Sequence, residues 1–188
     1  GVAFYPGTGM SPAYNDTFFL ADFRGDAGRS LIHAFQVQPK GAGFELVNRR
    51  DFANHMLVTD VDFGMRPGIY FSDWTQGWDQ PMKGRLYRIH EPALEADSAN
   101  AEAVRFLAEG MTQRPMLELE GLLGHADQRV RLEAQYAMAD RHADALAAFS
   151  RAATGGKNLL ARIHGIWGQW QLMLQGDADA TALLPLLD

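Results

Sequence analysis

Polar and aromatic residues that could bind a small molecule cluster in three short stretches of the first half of the chain. Two stretches begin with an Asp–aromatic pair, "DFRGDAGR" and "DWTQGWDQPMKG", and the third is "FANHMLVTD". Carboxylates and His can exchange protons, Arg and Lys can hold an anion, and Trp can stack on a sugar ring. The candidates are Asp22, Arg24, Asp26, Arg29, His55, Asp60, Asp73, Trp74, Trp78, Asp79 and Lys83. No metal-ligand spacing, nucleophile elbow or phosphate loop accompanies them.

Most of these candidates also have a structural interpretation. Asp22 and Asp73 can accept backbone N–H groups in their own loops, which we favour, and the tryptophans can fill a gap between sheets. Arg24 is harder to explain by packing, because Gly25 already makes its turn, so it is an anion-binding candidate. His55 could act as a general base, but the sequence shows no partner for it, and the structural interpretation is the better one.

An internal repeat in the first half predicts where the three stretches lie. Phe19–Phe23 matches Tyr70–Trp74, 51 residues later. A third strand follows in each copy ("SLIHAFQVQ" and "GRLYRIH"), and the first copy adds a fourth, "GFELVNRRDF". Four short strands per repeat, separated by turn residues, are typical of a β-propeller blade. Because direction alternates in such a meander, the three polar loops should open at the same end.

The composition and apolar spacing of the second half of the chain predict helices. Its composition shifts near residue 92 to Ala, Leu, Glu and Arg. His33 falls within a predicted strand and His164 within a predicted helix, so we expect both to be structural. The predicted helices span roughly 98–110, 114–124, 127–140, 142–153, 157–175 and 178–187.

A motif in the third predicted helix resembles the helix-pair signature of HEAT repeats. It reads Asp127-x-x-Val130-Arg131, in which the Asp can cap the helix and the Arg can bridge to a neighbouring pair. We therefore predict a β + α multidomain fold. A partial β-propeller of about 1.75 four-stranded blades in residues 1–92 would be followed by an α-solenoid of HEAT-like helix pairs in residues 93–188.

Composition excludes several classes of function. The 188 residues include no Cys, which removes disulfides, thiolate zinc sites, a Cys nucleophile and covalent haem attachment. The net charge of -6 argues against a nucleic-acid partner, and no apolar run approaches the ~20 residues of a transmembrane helix. The chain opens on a strand without an initiator Met, so we expect an internal segment of a longer protein, whose targeting signal would lie outside it.

The string "ADFRG…PKGAGFELV…TDVDFG…SDW…GW…KGRLYRI" resembles the last propeller blades of large bacterial membrane-bound dehydrogenases. Their propeller is similar to that of quinoprotein glucose/sorbosone dehydrogenases, and HEAT-like repeats follow it, so the resemblance covers nearly the whole chain. It implies a segment of a periplasmic or extracellular oxidoreductase that acts on a sugar or alcohol. The intact protein would use pyrroloquinoline quinone with calcium and pass electrons to a cytochrome c domain downstream.

The resemblance also implies roles for particular residues. Arg24 occupies about the place of a basic residue that contacts the quinone, whereas Leu57-Val58-Thr59 replaces an Arg-x-Arg of the family. The family's catalytic His and calcium ligands lie on earlier blades, so the catalytic residues are unknown here and the segment alone would be inactive and bind no cofactor. The predicted pocket wall comprises Asp22, His55, Asp60, Asp73, Trp74, Trp78 and Lys83.

An alternative function is a non-catalytic propeller–HEAT scaffold that binds glycans or proteins. The Trp-rich loop would then stack on a sugar ring, and the helical repeats would dock a protein partner.

Overall fold

Two antiparallel sheets form the first half of the computed structural model, which describes residues 1–75, 82–155 and 157–186. The first sheet has the order β1-β2-β3-β4 and the second β5-β6-β7, so both are simple meanders. The strands are β1 (Val2–Phe4), β2 (Phe18–Asp22), β3 (Leu31–Lys40), β4 (Gly43–Asn54), β5 (Val58–Phe63), β6 (Ile69–Asp73) and β7 (Arg85–Ile89). The predicted strands, their pairing and the mixed β + α class are confirmed.

The two sheets pack against each other through their alternating apolar residues. Phe19 of β2 and Phe63 of β5 are buried, and their ring centroids lie 5.6 Å apart. Ile32 and Ile69 are fully buried in the same core. Since successive side chains of a strand point to opposite faces, the other face of the first sheet carries the exposed Val2, Phe4 and Leu20.

The segment after β7 is bound to the loop between β1 and β2. The Glu91 carboxylate accepts the backbone N–H of Ser11 at 2.7 Å, and Asn100 Oδ1 accepts that of Gly9 at 2.6 Å. The chain divides into two units, Gly1–Ala101 and Glu102–Asp188, and both hydrogen bonds lie within the first. The first unit includes residues 93–101, which the sequence analysis placed with the helices.

The second half of the described chain is mainly helical. The helices are α1 (Ser98–Glu109), α2 (Met116–Leu122), α3 (Gln128–Ala139), α4 (Leu146–Thr154) and α5 (Leu159–Gln175). α2 contacts α3 and α4, and α5 contacts the same two helices. The helix predicted at 178–187 is a 3-10 helix over Ala180–Leu186, because Pro185 within it lacks the N–H that an α-helical turn requires.

A buried polar network joins α3 to α5. Asp127 Oδ1 accepts the backbone N–H of Arg129 at 2.8 Å and so caps α3, as the motif predicted. Arg131 Nε donates to His164 Nε2 at 3.2 Å, and His164 Nδ1 lies 2.8 Å from Gln135 Oε1. His164 is 2% exposed, and this burial, together with the nearby Arg131 charge, lowers its pKa to about 4. The residue is therefore neutral and structural.

Replacement of Gly168 tests the packing of α4 on α5. A Cβ at this position would lie 2.1 Å from the Phe149 ring, so Gly168→Ala should lower the free energy of unfolding by about 1–3 kcal/mol. Gly121 on α2 has no atom within 4 Å of the corresponding position, so Gly121→Ala should stabilise by about 0.5–1 kcal/mol. Urea denaturation measures both, and equal midpoints for the two variants would contradict this packing.

The low pKa of His164 predicts a loss of stability in acid. Between the ordinary pKa of 6.5 and about 4, the unfolded chain binds a proton that the folded chain does not. The free energy of unfolding should therefore fall as the pH drops through that window, by up to about 1.4 kcal/mol per pH unit. When the free energy of unfolding is measured against pH, His164→Gln should flatten this slope. His142→Asn is the control and should retain the slope, because the His142 side chain is 66% exposed. An undiminished slope in His164→Gln would assign the acid sensitivity to other groups.

Candidate functional site

The three predicted loops meet at one end of the first unit. Phe23, in the loop after β2, lies against Trp74, in the loop after β6, with ring centroids 6.3 Å apart. The backbone N–H of Trp74 donates to the carbonyl of Leu57, in the loop between the two sheets, at 2.9 Å. Trp74 therefore contacts both of the other loops.

Asp73 holds two of these loops together. Its side chain is 6% exposed, and its Oδ1 accepts the backbone N–H groups of Leu57 at 3.0 Å and of Thr75 at 3.2 Å. A buried carboxylate needs such donors, because removal of a charge from water is costly. Arg85 Nη1 lies 3.7 Å from Asp73 Oδ2, a distance that permits ion pairing without a direct hydrogen bond. Asp73 thus has the structural role that the sequence analysis favoured.

A cleft of about 810 Å³ opens beside Asp73. Trp74 is 40% exposed there, and the Thr59 and Ser72 hydroxyls lie 2.7 Å apart. The cleft therefore combines an aromatic surface, hydroxyl groups and cationic side chains. Its lining comprises Thr59, Ser72, Asp73, Trp74, Met82, Lys83, Gly84, Arg85 and Leu86.

Arg24 forms an ion pair with Asp22 in the neighbouring loop. Its Nε and Nη2 donate to Asp22 Oδ2 at 2.9 and 2.6 Å. These hydrogen bonds hold the pKa of the Asp22 carboxyl below its ordinary value and raise the pKa of Arg24. Within the described ranges, Asp22 therefore binds side chains instead of the backbone N–H groups expected in its loop, and the Arg24 charge already has a partner.

His33 belongs to the same cluster, which the sequence analysis did not identify. Its Nε2 lies 3.1 Å from Asp22 Oδ2, and its Nδ1 lies 3.5 Å from Asp51 Oδ1 and 3.2 Å from Arg49 Nη2. The strand register pairs His33 with Asp51 across β3 and β4. Two-residue alternation could have placed Asp22 and His33 on one face, but the pairing with Asp51 depends on irregularities in the β3–β4 register. Both ring nitrogens are occupied, which agrees with a structural role.

Of the remaining described candidates, His55, Asp60 and Asp26 are not among the residues that line the cleft. His55 is exposed in the loop after β4, with a left-handed backbone of φ 61°. The Asp60 side chain is 71% exposed and accepts the backbone N–H of Val61 at 2.9 Å. Asp26 Oδ1 accepts the backbone N–H of Gly28 at 2.6 Å. Trp78 and Asp79 lie outside the described residues. The structure thus brings Asp73, Trp74 and Lys83 together and pairs Asp22 with Arg24.

The described residues provide neither a metal site nor a membrane-spanning helix. No group of three or more His, Cys, Asp or Glu residues there is placed to hold a metal ion. No described helix combines the length and apolarity needed to span a bilayer. Comparison of the chain with protein-family models, curated proteins and solved structures finds no match. Function must therefore be inferred from the residues of the cleft.

Removal of the Asp73 carboxylate should destabilise the first unit. Asp73→Ala leaves the Leu57 and Thr75 N–H groups without their acceptor, so we expect a loss of about 2–4 kcal/mol in the free energy of unfolding. Asp73→Asn keeps an oxygen acceptor and should lose less. Asp60→Ala, at an exposed carboxylate, should change stability by less than about 0.5 kcal/mol. Denaturant unfolding compares the three, and similar losses for Asp73→Ala and Asp60→Ala would contradict the anchoring role.

Proposed function

We propose that the first unit is the edge of a β-propeller. Two consecutive meanders whose faces pack together support this proposal, because adjacent blades are built and packed in that way. The exposed apolar face of the first sheet, with Val2, Phe4 and Leu20, also suits packing against a further blade.

The helical unit is proposed to be a solenoid of HEAT-like pairs. α2 packs with α3 and α4 with α5, while α2 also contacts α4 and α3 contacts α5. Such stacking of equivalent helices is the arrangement of repeat proteins. α5 exposes Trp167, Trp170 and Leu174, a surface on which a further helix pair or a protein partner would pack.

The function proposed for the cleft is the binding of a sugar or another polyhydroxy alcohol. The observation that carries this proposal is the half-exposed Trp74 indole in the same cleft as the Thr59 and Ser72 hydroxyls. An indole offers a flat apolar surface to the C–H face of a sugar ring, while hydroxyl and cationic side chains bind the sugar oxygens. Binding sites commonly combine an aromatic surface with a few polar groups in this way.

Trp74 is also held in place before any ligand arrives. Its backbone N–H is bound to Leu57, its ring contacts Phe23, and the neighbouring Asp73 is buried. A side chain that is already ordered loses little conformational freedom on binding, so more of the stacking energy contributes to affinity.

For the intact protein, the resemblance supports oxidation of the bound sugar or alcohol, with transfer of electrons to a cytochrome, in the periplasm or outside the cell. The described residues do not fit a quinone. The Arg24 guanidinium is already paired with Asp22, and Leu57 and Val58, at the place of the family's arginines, are buried and apolar. The alternative, a scaffold that binds glycans or proteins, is favoured by the exposed apolar face of α5.

Calorimetric titration of the full chain with a panel of aldoses and polyols tests sugar binding. Trp74→Ala should weaken the affinity by roughly tenfold, because it removes the stacking surface. Trp170→Ala is the matched control, since this Trp is 55% exposed in the helical unit, and it should bind like the wild type. The proposal fails if no aldose or polyol binds, or if Trp74→Ala binds as tightly as the wild type.

Turnover separates the two functions proposed for the intact protein. Dye reduction by the intact protein with pyrroloquinoline quinone, calcium and the bound sugar would support the dehydrogenase. Sugar binding without dye reduction would support the scaffold.

A further inference from the structure

We propose that the sugar bound in the Trp74 cleft is a sugar acid, whose carboxylate is held by Arg85 and Lys83. This inference rests on the proposed function, because it specifies the class of sugar for the same cleft. Two observations support it: the charged side chains in the described lining are Asp73, Lys83 and Arg85, and the negative one already has hydrogen-bond donors.

Among the described residues that line the cleft, the one carboxylate, Asp73, already has its donors. Asp73 is buried, and its Oδ1 accepts the backbone N–H groups of Leu57 and Thr75. A ligand hydroxyl or cation would have to compete with donors that the fold supplies. Asp73 is therefore a poor acceptor for ligand, and it does not make the cleft acidic.

The positive charges in the lining remain accessible. The Arg85 side chain is 57% exposed and lies 3.7 Å from Asp73 Oδ2, so its N–H groups are not consumed by that carboxylate. Lys83 is exposed, and in the described part of the chain it has no ion-pair partner. Two cations against one satisfied carboxylate give the described lining a net positive charge. This local excess contrasts with the net charge of -6 of the whole chain.

A sugar carboxylate matches this arrangement better than a neutral sugar does. The planar guanidinium of Arg85 can bind both oxygens of a carboxylate, and the Lys83 ammonium adds a second charge. The pyranose ring would then lie on Trp74, with its hydroxyl groups near Thr59 and Ser72. One ligand would thus use the aromatic, hydroxyl and cationic groups of the described lining.

The test is calorimetric titration of the full chain with sodium glucuronate and sodium galacturonate, beside glucose and galactose. The uronates should bind roughly tenfold more tightly than the neutral sugars. Higher ionic strength should remove much of this preference and leave the neutral sugars unchanged. Glucose 6-phosphate distinguishes a carboxylate site from a phosphate site, and acetate reports non-specific anion binding.

Charge-removing variants assign the preference to the cleft. Arg85→Gln and Lys83→Gln should each reduce uronate affinity by about threefold to tenfold and leave glucose affinity unchanged. Lys83→Gln disrupts no ion pair among the described residues. It therefore still tests the role of charge in uronate binding if Arg85→Gln perturbs Asp73. Arg66→Gln is the matched control, because this exposed Arg lies in the turn at the opposite end of β5 and β6.

Each result is decisive. Equal affinity for uronates and neutral sugars would overturn the inference and leave sugar binding standing. Preference for glucose 6-phosphate, equal binding of acetate, or an Arg66→Gln effect equal to that of Arg85→Gln would also overturn it. Failure of every sugar to bind would instead remove the proposed function itself.

Discussion

The hydrogen bonds of the buried Asp73 carboxylate are the interaction on which the proposed ligand-binding end of the first unit depends. The carboxylate accepts N–H groups from Leu57, in the loop that joins the two sheets, and from Thr75, in its own loop. Trp74 then donates its backbone N–H to the Leu57 carbonyl, so the two loops are joined by hydrogen bonds in both directions. Because an unpaired buried carboxylate would be strongly unfavourable, the loops stay together only while these donors remain in place. The position of the Trp74 indole follows from this arrangement.

In the helical unit, too, the buried charged groups have hydrogen-bond partners. Asp127 caps α3, and Arg131 reaches His164 on α5, while its Nη1 donates to the carbonyls of His125 and Ala126. Burial lowers the pKa of Arg131 as well as that of His164. In both units, then, a buried charged side chain satisfies backbone groups at the end of a strand or helix and fixes how that element meets its neighbour.

Sequence reasoning was most successful where the information is local. Strand alternation, the internal repeat and the turn residues predicted both meanders, and the capping motif predicted the role of Asp127. It was least successful where distant residues meet. The Asp22–His33–Asp51 cluster depends on irregular β3–β4 pairing, and in the first unit, which extends to Ala101, Asn100 accepts the backbone N–H of the distant Gly9. Neither contact has a signature in a single sequence.

The repeat itself explains why the proposed ligand site lies in the second loop and not the first. Asp22 and Asp73 occupy equivalent positions in the two copies, and each has an Arg nearby. In the first copy Asp22 is partly exposed, and among the described residues its carboxylate is bound by side chains, with Arg24 Nη2 at 2.6 Å. In the second copy backbone N–H groups already satisfy the buried Asp73, and Arg85 stays 3.7 Å away with its donors accessible. The residue types alone favour Arg24 as the anion-binding group, whereas the difference in burial between two equivalent aspartates leaves Arg85, and not Arg24, with donors accessible to a ligand.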